Sequence, residues 1–152
     1  MKKNFEVTRI LPYKHTLVFE QIADFERYEQ YLPFCNESRS LNTDNKDFSQ
    51  IGELEFDIAG VSYKIKSGNV IEDERILITQ IKGPFKEMKA SWDVEQLDND
   101  NSKISFRVNS KVPYFLGILL SGSTVEKFVN IFLDSFVNDL DTRIKKETKA
   151  IR

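Results

Sequence analysis

Apolar and polar residues alternate with a period of two over most of the chain and shift to helical spacing near its end. Residues 5–11 alternate and are closed by Pro12, which cannot donate to a sheet ladder. From about His15 to Tyr28 the apolar residues Val18, Phe19, Ile22, Ala23 and Phe25 recur at helical spacing, and Tyr31-Leu32-Pro33 stops a second short helix. Lys14 offers no acceptor to the first helix's free N–H groups, so Thr16 caps one turn later or the end frays. A polar excursion, Asn42 to Asp47, leads to Leu54, Phe56 and Ile58 on one face of a strand. The chain turns at Ala59-Gly60, Val61, Tyr63 and Ile65 return on the same face, and Gly68 signals a bulge. The run Ile76-Leu77-Ile78 precedes a Gly83-Pro84 turn, after which Met88, Ala90, Trp92 and Val94 keep strict period two. Asp98 to Asn101 is a turn, and Ile104, Phe106 and Val108 alternate again. Seven strands are predicted, two of them flanking the short helices.

A helix is predicted from Ile118 to about Lys149, with Val125, Val129, Phe132, Phe136 and Leu140 in one stripe that Phe128, Ile131 and Leu133 widen. So apolar a face must lie across a sheet, which makes the fold class α+β. Just before it, Val112 to Leu120 is a continuous apolar run, too hydrophobic for a free loop. It packs inward or forms an interaction surface. It is about half the roughly 20 residues that cross a bilayer.

Length and charge narrow the function. A chain of 152 residues fits one domain, 1–152, with a proper core. Its 22 Lys and Arg nearly balance 24 Asp and Glu, so no global field favours DNA or a strongly anionic partner. The local exception is Arg143, Lys145, Lys146, Lys149 and Arg152, which complement the negative end of the last helix dipole or meet an anionic partner. Cys35 is the only cysteine, which excludes an internal disulfide and fits a reducing compartment. Met1 to Glu6 leads straight into a strand pattern, without the apolar core of a signal peptide.

Catalytic groups are few. His15, the only histidine, stands apart from Cys35 and from any acidic pair; Asp24, Glu26 and Arg27 have the spacing of solvated charges or weak ion pairs. No nucleophile elbow, phosphate loop or metal-ligand spacing occurs, so neither a catalytic residue nor a metal ligand is assigned and no enzyme is expected.

Val18-Phe19, Ala23-Asp24, Glu26, Tyr28 and Leu32-Pro33-Phe34-Cys35, followed by Gly83-Pro84-Phe85 and then Trp92, resemble the signature of the coenzyme Q-binding, START-like proteins, a family that also holds the bacterial ribosome-association toxins. The likeness runs from about Phe5 to about Arg143. It implies a helix-grip (START/Bet v 1-like) fold: a curved antiparallel sheet around a long C-terminal helix, two short helices after strand 1, and an apolar cavity. Positions carried over to that cavity are Phe56, Tyr63, Ile65, Met88, Trp92, Phe106, Val125, Phe128, Val129, Phe132 and Phe136. Pro84, Phe85, Tyr114, Phe115, Leu116 and Leu119 are carried over to its mouth or to membrane contact. Two departures stand out: Ser110-Lys111-Val112 where relatives commonly have an acid, and Ser67-Gly68-Asn69 where an arginine is common.

The resemblance implies a non-enzymatic binder of ubiquinone or a related polyprenyl lipid, held as a ligand rather than a cofactor, that supports respiratory electron transport or quinone biosynthesis. Its expected location is the bacterial cytoplasm, peripheral to the inner membrane, with a transient membrane surface as partner. The alternative is a toxin that binds the large ribosomal subunit and inhibits translation. A polyketide aromatase or cyclase would need polar catalytic groups inside the cavity, and few are present.

Overall fold

The computed structural model describes residues 1–41, 46–58, 60–120 and 122–151, with side chains to residue 146. Residues 42–45 of the polar excursion, Ala59 of the expected turn, Arg152 and the side chain of Lys149 lie outside these.

Alternation becomes one antiparallel sheet of seven strands: β1 (Lys2–Leu11), β2 (Cys35–Leu41), β3 (Gln50–Ile58), β4 (Val61–Glu72), β5 (Arg75–Lys82), β6 (Glu87–Gln96) and β7 (Ser102–Lys111). β2 to β7 form a meander in which each strand pairs with the next, and β1 joins at the far side of β7, from Lys2↔Lys111 to Leu11↔Ser102. Between β1 and β2 lie α1 (His15–Ala23), a 3-10 turn (Phe25–Arg27) and α2 (Tyr28–Tyr31); after β7 come α3 (Tyr114–Leu119) and α4 (Gly122–Ile151). This is the helix-grip arrangement that the resemblance implies.

The pairing Leu54↔Ile65, Phe56↔Tyr63 and Ile58↔Val61 puts those six side chains on one face, as their alternation requires. Gly68 has a different reason from the one expected. It pairs regularly with Ile51 and Thr79, while the register shift against β5 falls at Lys66/Ser67. A Cβ on Gly68 would stand 2.5 Å from the Phe48 ring, and one on Gly52 2.4 Å from Phe25. Both glycines let an aromatic ring lie directly on the sheet.

Two local expectations also change. α1 starts at His15 with Lys14 in the cap position and no side-chain cap, so the rescue by Thr16 does not occur. The single helix expected from Ile118 is two helices, because Leu120 leaves helical geometry at φ −91°, ψ 53°; Ile118 and Leu119 end α3, and α4 starts at Gly122.

The stripe on α4 supplies the core. Val129, Leu133, Phe136 and Leu140 are buried against Leu11, Val18, Ile22, Ile76, Trp92, Val94 and Ile104. A second cluster, Phe25, Tyr28, Leu32 and Cys35, sits under Leu54, Phe56 and Phe132. Ile131 is 41% exposed and widens nothing.

A polar tie fastens α4 to the short helices. The buried Gln21 donates to Asp139 Oδ2 at 2.6 Å and accepts from Arg143, while Arg27 Nη2 stands 3.4 Å from the same Asp139 oxygen. Tyr31 packs beside them, its hydroxyl facing Gln21 outside hydrogen-bonding geometry. Burial chiefly, with the Asp139 charge, holds that phenol's pKa well above its ordinary value.

Candidate functional site

β1 is an edge strand, since among the described residues β7 is its only neighbour in the sheet, and no strand pairs with its other edge there. The first turns of α4 pass beside that edge without closing on it. The result is a cleft of about 280 Å³. Residues 3–7 of β1 form one wall; Leu120, Gly122, Val125, Glu126 and Val129 form the other. Phe5 and Val7 meet Val125 and Val129 as apolar facing surfaces, and Lys3, Asn4, Glu6 and Glu126 provide polar groups.

Deeper in, a chain of aromatic rings fills the space between sheet and helix. Phe5 meets Phe106 edge-on with centroids 6.0 Å apart, and Phe106 lies 4.4 Å from Trp92. Trp92 stacks on Phe132 at 5.8 Å and Phe136 at 6.3 Å. Phe128 turns the other way, stacked on Phe34 at 5.1 Å and edge-on to Phe56 at 6.2 Å. Each such pair contributes about 0.5–1.5 kcal/mol beyond area burial.

The positions carried over to the interior therefore divide. Val125 and Val129 line the cleft. Trp92, Phe106, Phe132 and Phe136 form the aromatic packing behind it, and Phe56 and Phe128 belong to the cluster near β2 and β3. Tyr63, Ile65 and Met88 are half-buried and line neither the cleft nor those clusters. At the expected mouth, Tyr114 and Phe115 are exposed, Leu116 is fully buried, and Leu119 is half-buried next to Leu120 of the cleft. Pro84 and Phe85 are half-buried; Gln80 holds Phe85 by donating to its carbonyl at 2.8 Å and accepting from its N–H at 3.2 Å.

Sequence reasoning missed Lys3, Phe5, Val7 and Leu120. The alternation over residues 5–11 sets Phe5 and Val7 on one face of a strand, but only the strand order puts them at an open edge. It also missed a second hollow of about 460 Å³ at the opposite end, where Tyr13, Leu17, Asp100 and Ile144 come together.

Groups able to do covalent chemistry lie away from the cleft. His15 Nε2 is 3.9 Å from Glu74 Oε1 beside the β4–β5 turn. Arg27, expected to be solvated or weakly paired, is instead bound to Asp139 in the tie to α4. Among the described residues no group of His, Cys, Asp and Glu could hold a metal ion. Burial pushes the Cys35 thiol up to about 11, against a smaller opposing effect of the Glu37 carbonyl. At pH 8 its reaction with an aromatic disulfide should be at least ~100-fold slower than that of free cysteine, rising with pH as thiolate forms. A rate within about threefold of free cysteine would show that β2 does not cover the thiol.

The family model for polyketide cyclase/dehydrase and lipid transport matches residues 11–137. The chain belongs to that family. Among curated proteins, the chain is 25% identical over 153 residues to the ribosome association toxin RatA of Rickettsia prowazekii, with 97% of each chain covered. It is 20% identical over 149 residues to the mitochondrial coenzyme Q-binding protein coq10 of Schizosaccharomyces pombe, covering 95% of this chain and 91% of that protein. Among solved structures it resembles the Zhui aromatase/cyclase from Streptomyces sp. R1128, with a TM-score of 0.79 at 18% identity, covering 95% of this chain and 96% of that one. A START superfamily protein from Mycobacterium smegmatis gives 0.72 at 18% identity, over 94% and 97%. These structures share the fold of this chain. Among its described residues, no helix is long and apolar enough to cross a membrane.

Proposed function

We propose that the protein binds one end of ubiquinone or a related polyprenyl lipid in the cleft between β1 and α4, without catalysing a reaction on it, and so supports respiratory electron transport or quinone biosynthesis. The observation that carries this reading is the cleft itself, with apolar walls at Phe5, Val7, Val125 and Val129 and packed aromatic rings behind them. At about 280 Å³ it lies just under the roughly 300–1,000 Å³ of small-molecule sites, so it accepts a head group and the start of a tail. The rest of the tail leaves beside Leu120. Each methylene buried contributes about 0.8 kcal/mol, which the start of the tail collects inside the cleft. The family and the coq10 relative support the same reading.

Two measurements test it. Mass spectrometry of organic extracts from the purified protein should find a polyprenyl quinone. Val129→Trp, which places an indole in the cleft from a site 9% exposed, should lower quinone uptake at least tenfold, equivalent to about 1.4 kcal/mol, with the fold intact. Wild-type uptake by a folded Val129→Trp protein would put the site elsewhere.

A second reading, binding to the large ribosomal subunit, is favoured by the RatA relative, which covers 97% of the chain. The C-terminal cations support it less than their number suggests. Arg143 is held by Gln21, and Lys145 Nζ is 2.9 Å from Asp141.

A further inference from the structure

The two edges of the sheet differ in how they are guarded. β2 is short, its register shifts between Cys35 and Glu37, and the short helices cover it: Ser38 Oγ donates to the Glu26 carbonyl at 2.7 Å, and the Ser40 N–H donates to Glu26 Oε1 at 3.1 Å. Bulges and covers of this kind keep an edge from recruiting another strand. Among the described residues β1 has neither. Its ten residues pair with β7 without a register shift, and Pro12 comes only after the last of them.

The ladder also fixes which backbone groups point off the sheet. The Met1 nitrogen donates to the Val112 carbonyl at 3.3 Å and the Val112 N–H donates to the Met1 carbonyl at 2.9 Å, so these two form a hydrogen-bonded pair. Such pairs alternate along an antiparallel ladder. Lys3, Phe5, Val7 and Arg9 therefore bond inward to β7, while Lys2, Asn4, Glu6 and Thr8 present their N–H and C=O outward. The side chains of the outward residues are exposed as well. At Arg9 the edge is bridged to α4 by the 3.0 Å pair with Asp134, whereas residues 3–7 face the open cleft. The accessible length of edge is centred on Phe5.

We infer that β1 pairs antiparallel with β1 of a second copy of this chain, with Phe5 opposite Phe5 on a two-fold axis, so that each cleft is completed by Phe5 and Val7 of the other copy. A two-fold axis normal to the sheet keeps like faces together. In this register the Asn4 amide meets the Glu6 carboxylate and Lys2 meets Thr8 on the outer face, while Lys3 meets Val7 on the inner face beside the aromatic pair. No like charges stand opposite each other, and an aromatic pair directly across two strands is stabilising. The neighbouring registers are worse. Centring on Glu6 sets two carboxylates face to face and Lys3 against Arg9, and centring on Asn4 shortens the overlap to Lys2 through Glu6. This self-complementarity singles out a second copy rather than an unrelated strand. The dimer stands on the edge alone; its use in completing a lipid site rests on the lipid-binding reading above.

Sedimentation velocity over a dilution series should show a monomer–dimer equilibrium. Glu6→Pro removes an outward N–H and no bond to β7, a change that edge strands tolerate, and should give a monomer that unfolds near the wild-type midpoint. Glu6→Gln, which loses the 3.1 Å pair with Arg107 but keeps the N–H, should stay dimeric. Under mild oxidation Phe5→Cys should form a covalent dimer at least ~10-fold faster than Thr8→Cys, because only on the axis do two copies of one residue come within disulfide reach. Cys35, buried in both variants, does not compete. If Glu6→Pro does not fold, Thr8→Pro, whose N–H also points off the edge, replaces it. A wild-type chain that stays monomeric throughout overturns the inference and leaves the edge to an extended segment of another protein. So does a folded proline variant that still dimerises, dissociation by Glu6→Gln as complete as by proline, or equal cross-linking at residues 5 and 8. Quinone uptake from detergent micelles, read on the same preparations, separates the two levels: a dimer without uptake sinks the lipid reading alone, and undiminished uptake by the monomeric proline variant sinks completion of the cleft by the second copy.

Discussion

Phe136→Ala should lower the unfolding free energy by about 3–5 kcal/mol, read from the urea midpoint at unchanged slope. The residue is fully buried and its ring lies between Trp92 at 6.3 Å and Tyr31 at 6.5 Å, so truncation removes contacts to the sheet and to α2 at once. Little can relax into the space, because the neighbouring core side chains on α4, Leu133 and Leu140, already pack on the same cluster. Ile131→Ala, on the exposed side of the same helix, is the control and should cost well under about 1 kcal/mol. Equal effects from the two would mean that α4 does not sit on the sheet through this stripe.

Asp139→Ala should cost about 2–4 kcal/mol, more than its surface counterpart Asp134→Ala, which removes only the exposed partner of Arg9 and should cost about 1 kcal/mol or less. The difference lies in what is left behind. Without Asp139, Gln21 loses its 2.6 Å acceptor while 1% exposed, and the Arg27 guanidinium, already with Nη1 buried and unpartnered, loses its counter-charge. Asp139→Asn, which keeps an acceptor oxygen, should fall between the two. If Asp139→Ala and Asp134→Ala prove equally mild, the polar tie does not hold α4 to the short helices.

Much of this architecture can be read from the chain because strands and helices announce their buried faces by period. Phe56 opposite Tyr63 and the stripe Val129, Phe136, Leu140 are local consequences of alternation and of 3.6-residue spacing. What needed the structure was long-range. Arg27 looked like a solvated charge because its partner, Asp139, is on a helix more than a hundred residues later. Likewise Phe5 read as ordinary strand; only the strand order makes β1 an edge and its inner face a cleft wall. The α3–α4 break escaped because the apolar run up to Leu120 joins the helical stripe from Val125 onward, although the intervening Ser121-Gly122-Ser123-Thr124 marks the break in the sequence.

The pairing of β1 with β7 also governs how the molecule is made. Phe5 and its partner Val108 are separated by roughly a hundred residues, so at about 5–20 residues per second β1 emerges on the order of 5–20 s before the strand it pairs with. Throughout that interval β1 is an unpaired template, with both edges open, while the meander from β2 onward assembles without it. Closure of the sheet, and with it the wall of the cleft, is therefore the last event of strand assembly.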